Sequence, residues 1–357
     1  MNTTGSSESP ASDFEAVAVL YHRVLTGLLL AVASRAGTTR GAQVVFSAFR
    51  RQQLEKFLPG LDKLGLRHLP PAPACAQYHY LSNALGGAKV EWIPESDRKA
   101  WVRYLPPRWI FDGTAVCGIP TEMSRAMMWG WHANNGVLLG NLRLGFVCTS
   151  LTTDGGPGAI GYYIEGDRDL EPDERLRFAP GERPPPLPQS EPPDARSPLV
   201  AWEPARLSKV KRNYSMEYVR SMLAAMMEVL GPADAGHIAR TAGRQIGMQY
   251  HDFICRQLGL EPSPASPARS FAQLLVRLAR AHGDQCESDS AVNAAEVRVR
   301  QHTWRFAVGL DLPCEGFEAW NGIFEGLASV HSRWPALHLT VAKRLDLGDD
   351  CFEWRIH

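Results

Sequence analysis

Apolar residues recur at three- and four-residue spacing over 14–36 and 41–64, and again over 215–230 and 233–258, a pattern that predicts two pairs of helices. Leu64-Gly65-Leu66 and Leu258-Gly259-Leu260 close the second helix of each pair, where glycine can take the left-handed C-terminal conformation without steric cost. Further helical stretches at 74–85 and 271–282 precede segments of alternating polarity at 89–94 and 100–105, and at 294–304, which predict strands. Another helix, 121–137 and 314–330, leads into a closing hairpin, 142–152 with 158–165 and 337–345 with 351–356. The connecting TDGGPG and LGDD supply the glycine and aspartate that tight turns require.

The two series of elements repeat at a nearly constant offset of roughly 195 positions. Tyr21 falls over Tyr218, Ala76-Gln77 over Ala272-Gln273, Trp109 and Phe111 over Trp304 and Phe306, and Leu142 and Leu144 over Leu337 and Leu339. The expected fold class is therefore α+β: two tandem copies of a helical layer plus an antiparallel sheet, packed as a pseudo-twofold dimer. Between the copies runs RPPPLPQSEPPDARSP, which reads as an extended connector. The expected organisation is a solvated tail at 1–12, a first copy at 13–179, a proline-rich linker at 180–205 and a second copy at 206–357. A covalent pseudo-dimer frees one copy to lose its active residues, and a cavity near the interface of the copies is the expected ligand site.

Composition removes several function classes. The 357 residues carry 38 basic and 38 acidic side chains, so neither nucleic acid nor a membrane surface is expected as a partner through charge neutralisation. The N-terminal segment lacks the basic, apolar and small-residue regions of a secretory signal. The apolar stretch 24–33 is interrupted by Thr26 and Gly27 and is short of the roughly 20 residues a span needs. Seven cysteines, odd in number and without a CxxC pair, fit a reducing, cytoplasmic setting. The chain has no GxGxxG opening a helix, no GxxxxGK[ST] and no GxSxG, so nucleotide-dependent chemistry and serine hydrolysis lose their usual signatures. The acidic string 165–175 matches a calcium loop in composition only and reads as the start of the linker. A small-molecule substrate is the expected partner, and self-association into a homo-oligomer stays open.

Several residues could carry chemistry. Cys314, after Pro313, stands where a helix begins, and unsatisfied N–H groups there lower a thiol pKa; it is a candidate nucleophile or soft metal ligand, with Cys351 as a second thiol. Both are equally readable as small buried hydrophobes. His251, beside Tyr250 and Asp252, is a candidate base, although adjacent helical residues point apart and the pair is not expected to orient one another. His237 lies too far along the same helix to pair with it. In the first copy, Tyr78-His79-Tyr80 and the run Met127 to Asn135 put sulfur, indole, imidazole and amide groups at helical spacing. Glu122, Arg125 and Trp129 could share one face, Trp131, Asn134 and Asn135 another; with Tyr78 and His132 they could bind a flat polar ligand, or simply build core. His331, Arg333 and His338 allow a His/His/Cys set for a divalent metal with Cys351 or Cys314, but no short pair such as HExxH or CxxC accompanies it.

The closing string Lys343-Arg344-Leu345-Asp346-Leu347-Gly348-Asp349-Asp350-Cys351-Phe352-Glu353-Trp354-Arg355-Ile356, with Cys314-Glu315 opening the helix before it, resembles the end of the L-2-amino-thiazoline-4-carboxylic acid hydrolase-like family. The resemblance covers this hairpin and helix, and the rest of the chain in layout. It implies a vinyl-reductase-type ligand-binding fold and a hydrolase or small-molecule tailoring role, with Cys314 and Cys351 at the family's two cysteine positions. Phe317 stands where the family has an acidic residue, Glu318 follows one place later, and the first copy lacks both cysteines, with Tyr162-Tyr163 in the corresponding strand. The expected function is a hydrolase-like tailoring enzyme acting on a small polar, amide- or thiazoline-like compound. The alternatives are a non-catalytic small-molecule-binding or sensory module of the same fold, and a structural protein whose aromatic surfaces meet another chain.

Overall fold

The computed structural model describes residues 10–111, 113–186, 202–289, 296–332 and 336–357. In chain order the elements are α1 (Pro10–Lys63), α2 (Pro71–Leu85), β1 (Val90–Ser96), β2 (Lys99–Tyr104), α3 (Thr121–Trp131), the single turn α4 (Asn135–Leu138), β3 (Leu144–Ser150), β4 (Ala159–Glu165) and β5 (Leu176–Phe178). There follow α5 (Pro204–Leu230), α6 (Pro232–Gln257), α7 (Pro267–His282), β6 (Cys286–Asp289), β7 (Val297–Gln301), α8 (Phe317–His331), β8 (Leu339–Lys343) and β9 (Phe352–Ile356). The molecule is α+β, with its two sheets packed against helices.

The helix pairs form where the periodicity places them, and a glycine marks each break. α1 runs through both expected helices but is interrupted at Gly37, with φ 83° and ψ 165°; α5 and α6 are divided at Gly231, with φ 84° and ψ 152°. An L side chain is strained at such angles, so glycine allows the chain to turn here and resume helix on the next residue. Both Leu-Gly-Leu segments close as expected: Leu66 N–H bonds Leu61 O and Leu260 N–H bonds Cys255 O, each at 2.9 Å. The tail expected at 1–12 falls mostly outside the described residues, and Pro10 already begins α1. Of the linker expected at 180–205, residues 187–201 lie outside the described residues, and α5 has begun by Pro204, earlier than the apolar periodicity indicates.

The sheets have orders β1-β2-β4-β3-β5 and β6-β7-β9-β8. Their first four strands follow the same order, and the β3/β4 and β8/β9 hairpins each carry a register shift, at Cys148/Ser150 and at Val341/Lys343. One expectation is corrected: β5 runs parallel to β3, pairing Phe146 with Leu176, so the first sheet is mixed rather than antiparallel. β5 is only Leu176-Arg177-Phe178, preceded by Glu174-Arg175, and so short and charged a segment escapes a reading by hydrophobic pattern. Among the described residues of the segment 294–304, Val297–Gln301 is strand, and β6 before it is polar on its exposed face.

Contacts divide the chain into two compact units that do not coincide with the sequence halves. One comprises Leu29–Trp202; the other comprises the described residues up to Leu28 together with Glu203–His357, so the first part of α1 belongs to the C-terminal unit. An 18-residue window of α1 is apolar enough to cross a membrane by length and composition, and 72% of it is buried inside the protein. In the unit 29–202, Ile93, Trp101, Val147, Ile160 and Tyr162 form a cluster on the sheet. In the C-terminal unit, Phe317 stacks on Phe352 at 4.8 Å and Phe324 meets Trp354 at 4.9 Å, fixing α8 on its sheet.

Helices α6 and α8 approach with almost no side chain between them. A Cβ on Gly243 would lie 2.6 Å from Ala319 O, and ones on Gly247, Gly322 and Gly326 would run into Ile323 O, Arg240 O and Arg244 O. Two backbones meeting this closely at four glycines set the spacing of whatever follows on the same faces. On the outer side Arg240 bonds Glu325 and lies 3.4 Å from Glu318.

Candidate functional site

On α6, positions 243, 247, 251 and 255 recur every four residues and occupy one face. The first two are the glycines that meet α8; the next two are His251 and Cys255. Because α8 is held so close, its last residue, His331, reaches the same place. His251 Nε2 lies 3.0 Å from His331 Nδ1 and 3.6 Å from Cys255 Sγ. All three donor atoms lie within 4.8 Å of one another. The residues are enclosed, at 2%, 4% and 5% exposure for His251, Cys255 and His331.

Each imidazole is also held from behind. His251 Nδ1 lies 2.9 Å from Asp252 Oδ1, and His331 Nε2 lies 2.8 Å from Ser270 Oγ, in the first turns of α7. The expectation that His251 and Asp252 do not orient one another is thereby corrected: Nδ1 is the ring nitrogen nearest the backbone, and the neighbouring carboxylate reaches it. Burial lowers the His331 pKa to about 4, helped by His251, and raises the Cys255 thiol to about 11.

A second polar cluster lies within 29–202. Gln53 Nε2 donates to Asn135 Oδ1 at 3.1 Å, Asn134 Nδ2 to Gln53 Oε1 at 3.0 Å, and Asn135 Nδ2 to Tyr163 OH at 2.8 Å. His132 Nδ1 lies 2.6 Å from that phenol, and His79 stacks on His132 at 4.3 Å, while Tyr78 and Trp131 stack at 6.4 Å beside them. Burial lowers the pKa of His79 to about 3 and that of His132 well below its usual value, and it raises that of Tyr163. This network satisfies its polar groups internally, the mark of a buried structural network.

The candidate residues separate accordingly. Tyr78, His132 and Asn135 come together. Glu122 is exposed on the first turn of α3 and Trp129 is half-buried, so neither joins them. Arg125 faces Asp154 at 3.7 Å. Cys314 is exposed in a three-residue 3-10 turn rather than seated on the α-helix; its pKa is raised, by desolvation and then by the Glu315 carboxylate 3.5 Å from its sulfur, which corrects the expected activation. Cys351 is buried beside Asp350, and its pKa is raised as well. His237 and His338 are exposed, and Arg333 lies outside the described residues. Sequence reasoning singled out His251 and His331 separately, the second with Cys351 or Cys314, and named neither Cys255 nor Ser270 beside them. The missed signal is G-x3-G-x3-H-x3-C: one helical face that carries both the close approach and a ligand pair at i, i+4. Comparison with protein-family models, with curated proteins and with solved structures found no match to this chain.

Proposed function

We propose that the protein acts on a small polar molecule, by hydrolysis or a related rearrangement of an amide- or thiazoline-like bond, and that its reactive centre is the His251, His331 and Cys255 cluster of the C-terminal unit. The observation that carries this reading is the convergence of two imidazole nitrogens and a thiol, with both rings fixed from behind by Asp252 and Ser270. Rings held in one orientation present a nitrogen ready to bind or deprotonate a water molecule, the requirement for general-base or metal-assisted hydrolysis. We also infer that the two series of elements descend from one duplicated module, supported by matching strand order and by the break glycines Gly37 and Gly231. The residues at the same distances after Gly37 as His251 and Cys255 are after Gly231 are Phe57 and Leu61, both buried, which fits chemistry kept in one copy alone.

The test is turnover of a panel of small amides and thiazolines by the full chain. Loss of turnover in His251→Gln and His331→Gln, with Cys314→Ser unaffected, supports the reading; turnover undiminished in His251→Gln overturns it. The burial of all three side chains favours a second reading, a non-catalytic binding or sensory module, which predicts ligand-dependent melting without turnover.

A further inference from the structure

The hydrogen bonds behind the two rings constrain which nitrogens carry protons. Asp252 is a carboxylate and can only accept, so His251 Nδ1 bears its hydrogen and Nε2 is a lone pair. Ser270 Oγ lies 3.1 Å from Pro267 O, a carbonyl that can only accept, and it receives the Ser263 N–H at 3.2 Å. With the Ser270 hydrogen directed to Pro267 the hydroxyl accepts from His331 Nε2–H and His331 Nδ1 is a second lone pair; with it directed to His331 Nε2, at the shorter 2.8 Å, His331 Nδ1–H donates to His251 Nε2. Two imidazole nitrogens thus face each other at 3.0 Å in an enclosed place, with a thiol sulfur 3.6 Å from one of them. A cation between the donors takes both lone pairs in the first state and replaces the bridging hydrogen in the second. A proton would bridge the nitrogens and leave Cys255 without a role; its sulfur has no other hydrogen-bond partner among the described residues.

We propose that His251 Nε2, His331 Nδ1 and Cys255 Sγ bind one divalent transition-metal ion of the zinc class, with the fourth coordination place left to water or a small polar ligand. The distances fit. A tetrahedral ion with bonds of about 2.0–2.1 Å to nitrogen and about 2.3 Å to sulfur has N···N edges of about 3.3 Å and N···S edges of about 3.6 Å. Two imidazoles and a thiolate select zinc, cobalt or copper over magnesium or calcium, which take oxygen ligands. Asp252 and Ser270 are the outer partners that commonly orient ligating histidines. Binding forms a metal–sulfur bond and releases the thiol proton to solvent, with no change of oxidation state. The inference concerns the cluster already proposed as reactive but does not depend on turnover.

The probe is cobalt(II), titrated into the full chain after chelator dialysis. Expected are one equivalent bound, a near-ultraviolet sulfur-to-cobalt band, visible bands of tetrahedral cobalt, and loss of all of these on adding one equivalent of zinc. Cys255→Ser should abolish the sulfur band, while Cys314→Ser and Cys351→Ser keep it. Asp252→Asn, at an exposed side chain, should weaken cobalt binding by roughly 10–100-fold. No stoichiometric binding by the wild-type chain, or an unchanged sulfur band in Cys255→Ser, would overturn the proposal. Metal binding without turnover leaves this inference standing and removes the enzymatic reading; turnover by a wild-type chain that binds no cobalt does the reverse.

Discussion

Tyr163 OH serves two partners at once, accepting from Asn135 Nδ2 and meeting His132 Nδ1, on a fully buried side chain. Tyr163→Phe leaves both groups short of a partner and should cost about 1–3 kcal/mol, read as a lower urea midpoint with unchanged slope. An unchanged midpoint would mean that the network is not held by that phenol. Cys314→Ser, on an exposed turn, should change stability by less than about 0.5 kcal/mol. At this scale the sequence was readable in part. Tyr78, His132 and Asn135 stood out because aromatic and amide groups recur at helical spacing. Tyr163, which ties them together, comes from a strand far along the chain, and no local pattern announces a cross-element hydrogen bond. Cys314 misled for a related reason: the proline before it suggested a helix start, while the neighbouring Glu315 carboxylate, which opposes a thiolate, weighs more than the turn's dipole.

Among elements, the joint between α6 and α8 carries the most consequence. A methyl group on Gly247 meets the backbone at Ile323 O and Leu327 N, which cannot rotate away. Gly247→Ala should therefore force the helices apart at a cost of about 1–3 kcal/mol. Since His251 follows one turn later, the same substitution should also lower metal affinity without touching a ligand, and thermal melting alongside a cobalt titration reads both. Retained affinity would show that the glycine contact does not set the site. The helices themselves were legible from apolar periodicity, and the hairpins from turn chemistry. Their close approach was encoded in Gly243-x3-Gly247 and Gly322-x3-Gly326, yet a glycine stripe shows only that something comes near, not which helix does. β5 escaped because three residues, with an arginine in the middle, give no period to detect.

For the whole molecule, buried neutral histidines set the response to acid. His79 has its folded pKa lowered to about 3 from the usual 6.5, with desolvation the leading cause, and His132 is lowered too. Between these values the unfolded chain binds protons that the folded one does not, so this stability is present above about pH 6.5 and is lost as pH falls towards 3. At pH 5 His79 alone should account for about 2 kcal/mol of lost stability. Urea unfolding at pH 7.5 and pH 5 should show that loss, and His79→Gln should reduce the difference; a midpoint independent of pH would contradict it. The recurring order of elements was visible along the chain, but the membership of the units was not, since the first part of α1 joins the C-terminal unit through tertiary contacts alone.

The central claim is that three side chains of the C-terminal unit converge on a cation, and X-ray diffraction from zinc-loaded crystals at the zinc absorption edge tests it most directly. The account predicts one strong anomalous peak, about 2.0–2.1 Å from His251 Nε2 and His331 Nδ1 and about 2.3 Å from Cys255 Sγ. A peak at other residues, or none between these three with zinc present in stoichiometric amount, would contradict it.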